Sequence, residues 1–188
     1  MFFSRIQIAQ SVYDNYKKYD GFVVIHGTDT LTYTSSALSF LLENLHKPVI
    51  VTGSQIPMKE SYSDAVNNLL GSMVAAASPY VNEVACYFKD YLMRGNRAVK
   101  YSSVLWNGFN VGDGHHLGRW ERGLTLYGPD LLPSARKRYQ REVLLNGTSR
   151  MLISSFLFIK QLYSISILIC FLFLYSESFS SWRALLYR

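Results

Sequence analysis

Short runs of consecutive apolar residues alternate with longer segments of helical periodicity in the first half of this sequence. Three segments place apolar residues on one helical face: Ile6–Tyr19, Leu31–Leu45 and Ser63–Ala77. Three runs have the length and composition of buried strands: Gly21–Ile25, Pro48–Thr52 and Glu83–Phe88. The order α-β-α-β-α-β predicts an α/β fold, a parallel sheet with helices on both faces.

The third helical segment has a capping signal at its start. Ser63-Asp64 is typical of the residues that precede a first helical turn. We predict that the helix buries one apolar face, made of Leu69, Leu70, Met73 and Val74.

Polar residues and glycines follow each predicted strand. They are His26–Thr30, Thr52–Gln55 and the loop after Phe88. In open α/β sheets, ligands bind beyond the carboxyl ends of the strands. A binding or catalytic site is therefore expected at this edge of the sheet.

The regular pattern stops near Asn110. We therefore divide the sequence into a domain over residues 1–110 and an unassigned basic, apolar tail over residues 111–188. Within the tail, residues 151–176 are long enough to span a bilayer, although Lys160 and Gln161 interrupt them. Two interpretations stay open: a stretch with no evolved role, as from an incorrect gene model, or a membrane segment.

Composition excludes several classes of protein. Apolar residues make up 49% of the sequence, which excludes a disordered protein. The net charge of +6 lies almost entirely in the tail and comes without a nucleic-acid-binding motif, so no nucleic-acid partner is predicted. Cys86 and Cys170 stand alone, and His115-His116 lacks further ligands, so neither a metal site nor a disulfide is expected. A reducing, cytoplasmic location is expected, since no signal peptide is recognised.

The segment Gly21–Leu31 carries the most informative chemistry. The first predicted strand is followed by a turn at Gly27. Thr28, Asp29 and Thr30 come next, at the start of a predicted helix. The free N–H groups there suit an anion or an oxyanion, and a threonine hydroxyl can act as a nucleophile if a base activates it. Asp29 could orient water, bind an ammonium group or cap the helix. Local sequence rules alone are compatible with a purely capping role.

The same eleven residues resemble the second active-site signature of the bacterial-type asparaginase/glutaminase family. Lys47–Pro57 resembles the next strand and turn of that family, with Ser54 in place of alanine. Ser63-Asp64 with Asn68-Leu69 resembles the following helix start, and Arg94–Lys100 resembles the loop that delivers a catalytic lysine. The resemblance covers residues 6–110 and fits best the cytoplasmic type I branch, which includes 60 kDa lysophospholipase-like members.

The resemblance implies a role for three residues. Thr28 and Lys100 match the threonine and lysine of a rigid triad, in which the lysine deprotonates or polarises the hydroxyl. Asp29 matches the aspartate that completes the triad and holds the α-amino group of the substrate, while His26 is expected to be structural. The implied reaction is hydrolysis of L-asparagine to L-aspartate and ammonia, without cofactor or metal, in homo-oligomers.

Two parts of the family pattern are not recognised here. The sequence contains no Thr-Gly-Gly-Thr turn, which supplies the family's other threonine, and residues 111–188 do not resemble its second domain. We therefore expect the central part of one domain, an exposed apolar sheet edge, and weak or absent activity. An alternative is a non-catalytic remnant that the tail anchors to a membrane or an acidic partner. A lipid hydrolase is a weaker alternative, because no Gly-x-Ser-x-Gly motif is present.

Overall fold

The structure, a computed structural model, describes residues 2–112, 114–132 and 144–145. The helices are α1 (Phe2–Asn15), α2 (Leu31–Leu41) and α3 (Ala65–Ala76), with a short 3-10 helix at Gly128–Asp130. The strands are β1 (Phe22–Ile25), β2 (Leu42–Glu43), β3 (Val49–Thr52), β4 (Val84–Phe88), β5 (Tyr91–Arg94), β6 (Ala98–Lys100), β7 (Phe109–Val111), β8 (Gly118–Trp120), β9 (Leu124–Leu126) and β10 (Leu144–Leu145).

One sheet of six strands organises the described residues. Its strand order is β1-β3-β4-β5-β8-β9. The first three strands are parallel, as predicted, and the remaining three are antiparallel. The sheet is mixed because Lys89 and Asp90 join β4 to β5 with φ values of 41° and 70°, the conformation of a two-residue hairpin turn. Such a turn can only connect antiparallel strands.

Helices cover both faces of the parallel strands, which confirms the predicted layering. Helices α1 and α2 pack on the face that carries Val49 and Val51. Ile50 points to the opposite face, where it packs with Ala75 and Ala76 of α3. Successive residues of β3 thus enter different cores, as expected for a strand buried on both sides.

The orientation of α3 differs from the prediction. Leu70, Met73 and Val74 are 54%, 54% and 45% exposed, whereas the buried face consists of small or polar residues: Asn68, Gly71, Ser72, Ala75 and Ala76. A Cβ at Gly71 would lie 2.1 Å from Cζ of Tyr87, so the helix backbone lies against that ring. Close packing and the hydrogen bonds of Asn68 set the rotation of α3, and the hydrophobic pattern alone indicates the wrong face.

Several predicted boundaries shift. Helix α1 covers Phe2–Asn15 instead of Ile6–Tyr19, and α2 ends at Leu41 instead of Leu45, where the backbone enters β2. Both helices bury an apolar face, as predicted, and the buried residues include Ile6, Ile8, Val12, Leu31 and Leu38.

The sheet also continues past the break predicted near Asn110. Strand β7 crosses that position and pairs with β6, and β8 and β9 join the six-stranded sheet. Three-residue strands are too short to produce a recognisable alternation in sequence. Residues 151–176, predicted as a possible membrane segment, lie outside the described residues, and within the described ranges no helix is long and apolar enough to cross a membrane.

Candidate active site

The residues predicted to act together come from two distant parts of the sequence. Thr28 and Asp29 lie in the turn between β1 and α2, directly beyond the carboxyl end of β1. Lys100 is the last residue of β6, which forms a separate two-stranded sheet with β7. The fold brings the lysine to the ligand-binding edge that α/β sheets generally use.

The Lys100 ammonium contacts both predicted partners. Its Nζ donates a hydrogen bond to Oγ1 of Thr28 at 2.9 Å and another to Oδ1 of Asp29 at 2.7 Å. The Lys100 side chain is only 13% exposed, whereas that of Asp29 is 87% exposed. The lysine is thus held in place by two oxygen acceptors, while most of the aspartate surface stays open to a ligand.

The contacts of this turn do not support a helix-capping role for Asp29. Thr30 occupies the N-cap position of α2 and makes no side-chain capping hydrogen bond. Asp29 instead accepts a charge-assisted hydrogen bond from Lys100. An ammonium beside a hydroxyl oxygen stabilises negative charge on that oxygen, so this arrangement is suited to raising the reactivity of Thr28.

The His26 side chain is buried next to the turn that carries Thr28. Its Nδ1 lies 2.8 Å from the carbonyl oxygen of Gly27, and its Nε2 lies 3.0 Å from Oγ1 of Thr34. A carbonyl only accepts, so Nδ1 carries the proton and Nε2 accepts from the Thr34 hydroxyl. Oγ1 of Thr34 also accepts from Nε of Arg5 at 3.3 Å. His26 therefore fixes the peptide that leads into Thr28, which is the structural role predicted for it.

Protonation of His26 is expected to destabilise the protein. Burial lowers its pKa below the ordinary histidine value of 6.5, with the nearby Arg5 a smaller cause in the same direction. The unfolded protein then binds more protons near pH 6, so the free energy of unfolding falls as pH drops below 6.5, by up to about 1.4 kcal/mol per pH unit. Urea denaturation between pH 5 and 8 measures this slope.

A matched pair of variants isolates the contribution of His26. Asparagine can replace the Nδ1 donor without titrating, so His26→Asn should flatten the pH dependence. His115 is exposed, and His115→Gln should leave the slope unchanged. An equal slope in wild type and His26→Asn would show that other groups cause the acid sensitivity.

Gln55 and Asp64 lie near the site, but the sequence does not reveal what they do. The capping signal predicts Asp64 as a cap of α3, yet it makes no capping hydrogen bond. Its buried carboxylate accepts the backbone N–H groups of Gln55 and Ile56, each at 3.0 Å. The sequence signal for them is that Gln55 lies within the Lys47–Pro57 motif and that Asp64 belongs to the Ser63-Asp64 helix start. Within the described residues, no group of three His, Cys, Asp or Glu side chains could hold a metal ion.

Comparison with known proteins agrees with this geometry. Residues 4–131 match the family described as asparaginase, N-terminal. L-asparaginase 1 of Escherichia coli K12 is 57% identical over 93 residues, which cover 50% of this chain and 28% of that protein. The mouse 60 kDa lysophospholipase is 50% identical over 104 residues, which cover 55% of this chain and 18% of that protein.

Solved structures show the same likeness. L-asparaginase I of Vibrio cholerae superposes with a TM-score of 0.68 at 42% identity, covering 76% of this chain and 43% of that one. The thermostable L-asparaginase of Thermococcus kodakarensis gives a TM-score of 0.68 at 32% identity, covering 76% and 42%. The protein thus spans less than half the length of each of these relatives.

A mixed sheet with Thr28 and Asp29 beyond the carboxyl end of β1, and Lys100 brought to them by the separate β6–β7 hairpin, defines an α/β domain of the asparaginase N-terminal type. The chain belongs to the asparaginase family. The predicted membership is confirmed, and residues 4–131 carry it.

Proposed function

We propose that this protein contains an amide-hydrolysing half-site that acts on L-asparagine. In the reaction, the C–N bond of the asparagine amide breaks, water supplies the oxygen of the new carboxylate, and nitrogen leaves as ammonia. The observation that carries the proposal is the pair of hydrogen bonds from Lys100 to Thr28 and Asp29, at 2.9 Å and 2.7 Å. Family membership supports the reaction class.

Each residue has a distinct task in this proposal. Lys100 polarises the Thr28 hydroxyl and stabilises negative charge on its oxygen, so that the hydroxyl can promote attack on the amide carbon. Asp29 orients Lys100 with one carboxylate oxygen. Because its side chain is 87% exposed, the carboxylate can also bind the α-ammonium group of the amino acid.

The non-catalytic alternative finds less support. It depends on membrane or acidic-partner binding by residues 111–188, most of which lie outside the described residues. The asparaginase relatives and the site geometry favour hydrolysis instead. We expect weak or absent turnover from these 188 residues alone, and we expect the protein to form homo-oligomers in the cytoplasm.

Ligand binding tests the role of Asp29 separately from turnover. We expect L-aspartate, the reaction product, to bind and to shift the NMR signals of Thr28, Asp29 and Lys100. Asp29→Asn removes the charge that faces the α-ammonium, so it should weaken L-aspartate binding by about tenfold or more, as for a charge-assisted hydrogen bond. Succinate, which lacks the α-amino group, should bind wild type and variant alike.

Asp20 provides the matched control. It is an exposed aspartate that pairs with Lys47 at 3.9 Å, so Asp20→Asn should leave both affinities unchanged. Equal losses of L-aspartate and succinate binding in Asp29→Asn would mean that Asp29 does not recognise the amino group. No binding of L-aspartate to the wild type would contradict the proposed substrate class.

A further inference from the structure

The loop that follows Lys100 is compact and closed by its own backbone. The N–H groups of Tyr101 and Ser102 donate to the carbonyl of Gly108 at 2.9 Å and 3.3 Å. The Ser102 hydroxyl oxygen also accepts the N–H groups of Val104 and Leu105, at 3.2 Å and 3.1 Å. Because this loop begins at the residue after Lys100, a shift of the loop would also move the backbone of Lys100.

Gln55, in the turn after β3, holds this loop with its side chain. Its Nε2 donates to the carbonyl oxygens of Ser102 and Leu105, each at 3.1 Å. Both hydrogen atoms of the amide are thus used on one loop. A Cβ at Gly108 would lie 2.3 Å from the carbonyl oxygen of Ser102 and 2.4 Å from Nε2 of Gln55, so only glycine fits between the loop backbone and the amide.

Gln55 is itself fixed by a buried carboxylate. Oδ2 of Asp64 accepts the backbone N–H of Gln55 at 3.0 Å and Nδ2 of Asn68 at 2.9 Å, and Oδ1 accepts the N–H of Ile56. Asn68 also donates to the carbonyl of Gly53 at 2.9 Å and accepts from the N–H of Lys89 at 3.0 Å. The turn after β3 is therefore tied to the start of α3 and to the turn after β4.

We propose that Gln55 is a positioning residue for the amide-hydrolysing site: anchored by Asp64, it fixes the loop after Lys100 and thereby the ammonium that serves Thr28. This inference rests on the proposed function, and it assigns Gln55 no contact with the substrate. It explains why a neutral side chain with two donors stands at position 55, since the two acceptors are carbonyl oxygens and a carboxylate there would repel them.

Gln55→Met tests the inference, because methionine has a similar size and flexibility but no donor. Loss of both hydrogen bonds should speed hydrogen exchange at the Tyr101 and Ser102 amides by about tenfold or more. The Lys100 ammonium should lose the NMR cross-peak that its hydrogen bonds protect. Asparagine turnover should fall about tenfold in kcat with little change in KM, because the substrate contacts remain.

Two further variants provide controls. Gln10 donates to Asp14 on α1, and Gln10→Met should change none of the three measurements. Gln55→Glu keeps the size of the side chain but removes both amide hydrogen atoms, so it should reproduce the Gln55→Met effects and serves as the test if Gln55→Met folds poorly.

The outcomes separate this inference from the proposed function. Unchanged exchange and an unchanged Lys100 signal in a folded Gln55→Met variant would overturn the positioning role. A loosened loop and an altered Lys100 signal, in a protein whose wild type does not hydrolyse asparagine, would support the positioning role and contradict the proposed function.

Discussion

Replacing Lys100 with methionine is expected to lower the rate of asparagine hydrolysis by about 10²–10⁴-fold, the usual contribution of a positioned acid–base group. Methionine keeps the length of the side chain but removes the ammonium that contacts Thr28 and Asp29. The rate is measured as release of ¹⁵N-ammonia from asparagine labelled in its side-chain amide, because this signal detects slow turnover.

Stability should change little in the same variant. The lysine pairs with a carboxylate that is 87% exposed, and such pairs contribute about 0–1 kcal/mol. Lys59→Met serves as the control, since Lys59 is an exposed lysine beside Glu60 at 3.9 Å. A Lys100→Met variant that hydrolyses asparagine within threefold of the wild-type rate would remove Lys100 from the mechanism.

Neutralising Glu83 should produce a large loss of stability. Its side chain is 6% exposed and binds Arg94 with both oxygens, at 2.5 Å and 3.1 Å. Arg94 also donates to the carbonyl of Asp130 at 2.6 Å, so the pair ties β4 and β5 to the 3-10 helix. Because Arg94 is partly exposed and glutamine still offers it one acceptor, Glu83→Gln should lower the free energy of unfolding by about 1–3 kcal/mol in urea denaturation.

A double variant shows whether the loss arises from an unpaired charge. Replacing both residues, as in Glu83→Leu with Arg94→Met, should cost less than Glu83→Gln alone, because no half-buried guanidinium is left without its partner. Glu60→Gln, at an exposed pair, should change stability by less than about 1 kcal/mol. Equal effects of Glu60→Gln and Glu83→Gln would show that the buried pair is not a significant support of the fold.

The sequence predicts the parallel half of the sheet and the meeting of Thr28, Asp29 and Lys100. The strands could be predicted because each is a short apolar run, and glycine or proline bounds the first two. The role of Lys100 could be predicted only from the family resemblance, since Lys100 lies 71 positions after Asp29 in the sequence. Patterns among neighbouring residues do not predict that the end of β6 lies beside the turn after β1.

Other features depend on contacts that periodicity does not record. The predicted face of α3 is wrong because Asn68 must reach Gly53, Asp64 and Lys89, and because Gly71 must lie against a tyrosine ring. The free energy gained from these contacts outweighs the free energy that burial of three apolar side chains would provide. The hairpin of β8 and β9 is not predicted because its strands are three residues long.

Asparagine hydrolysis by the purified protein and by its Thr28→Val variant tests the central claim most directly. Valine keeps the branched shape of threonine and removes only the hydroxyl that Lys100 contacts. We predict slow formation of aspartate and ammonia in equal amounts by the wild type, reduced to background in Thr28→Val and partly restored in Thr28→Ser. A measurable wild-type rate that Thr28→Val leaves unchanged would contradict the proposed role of Thr28.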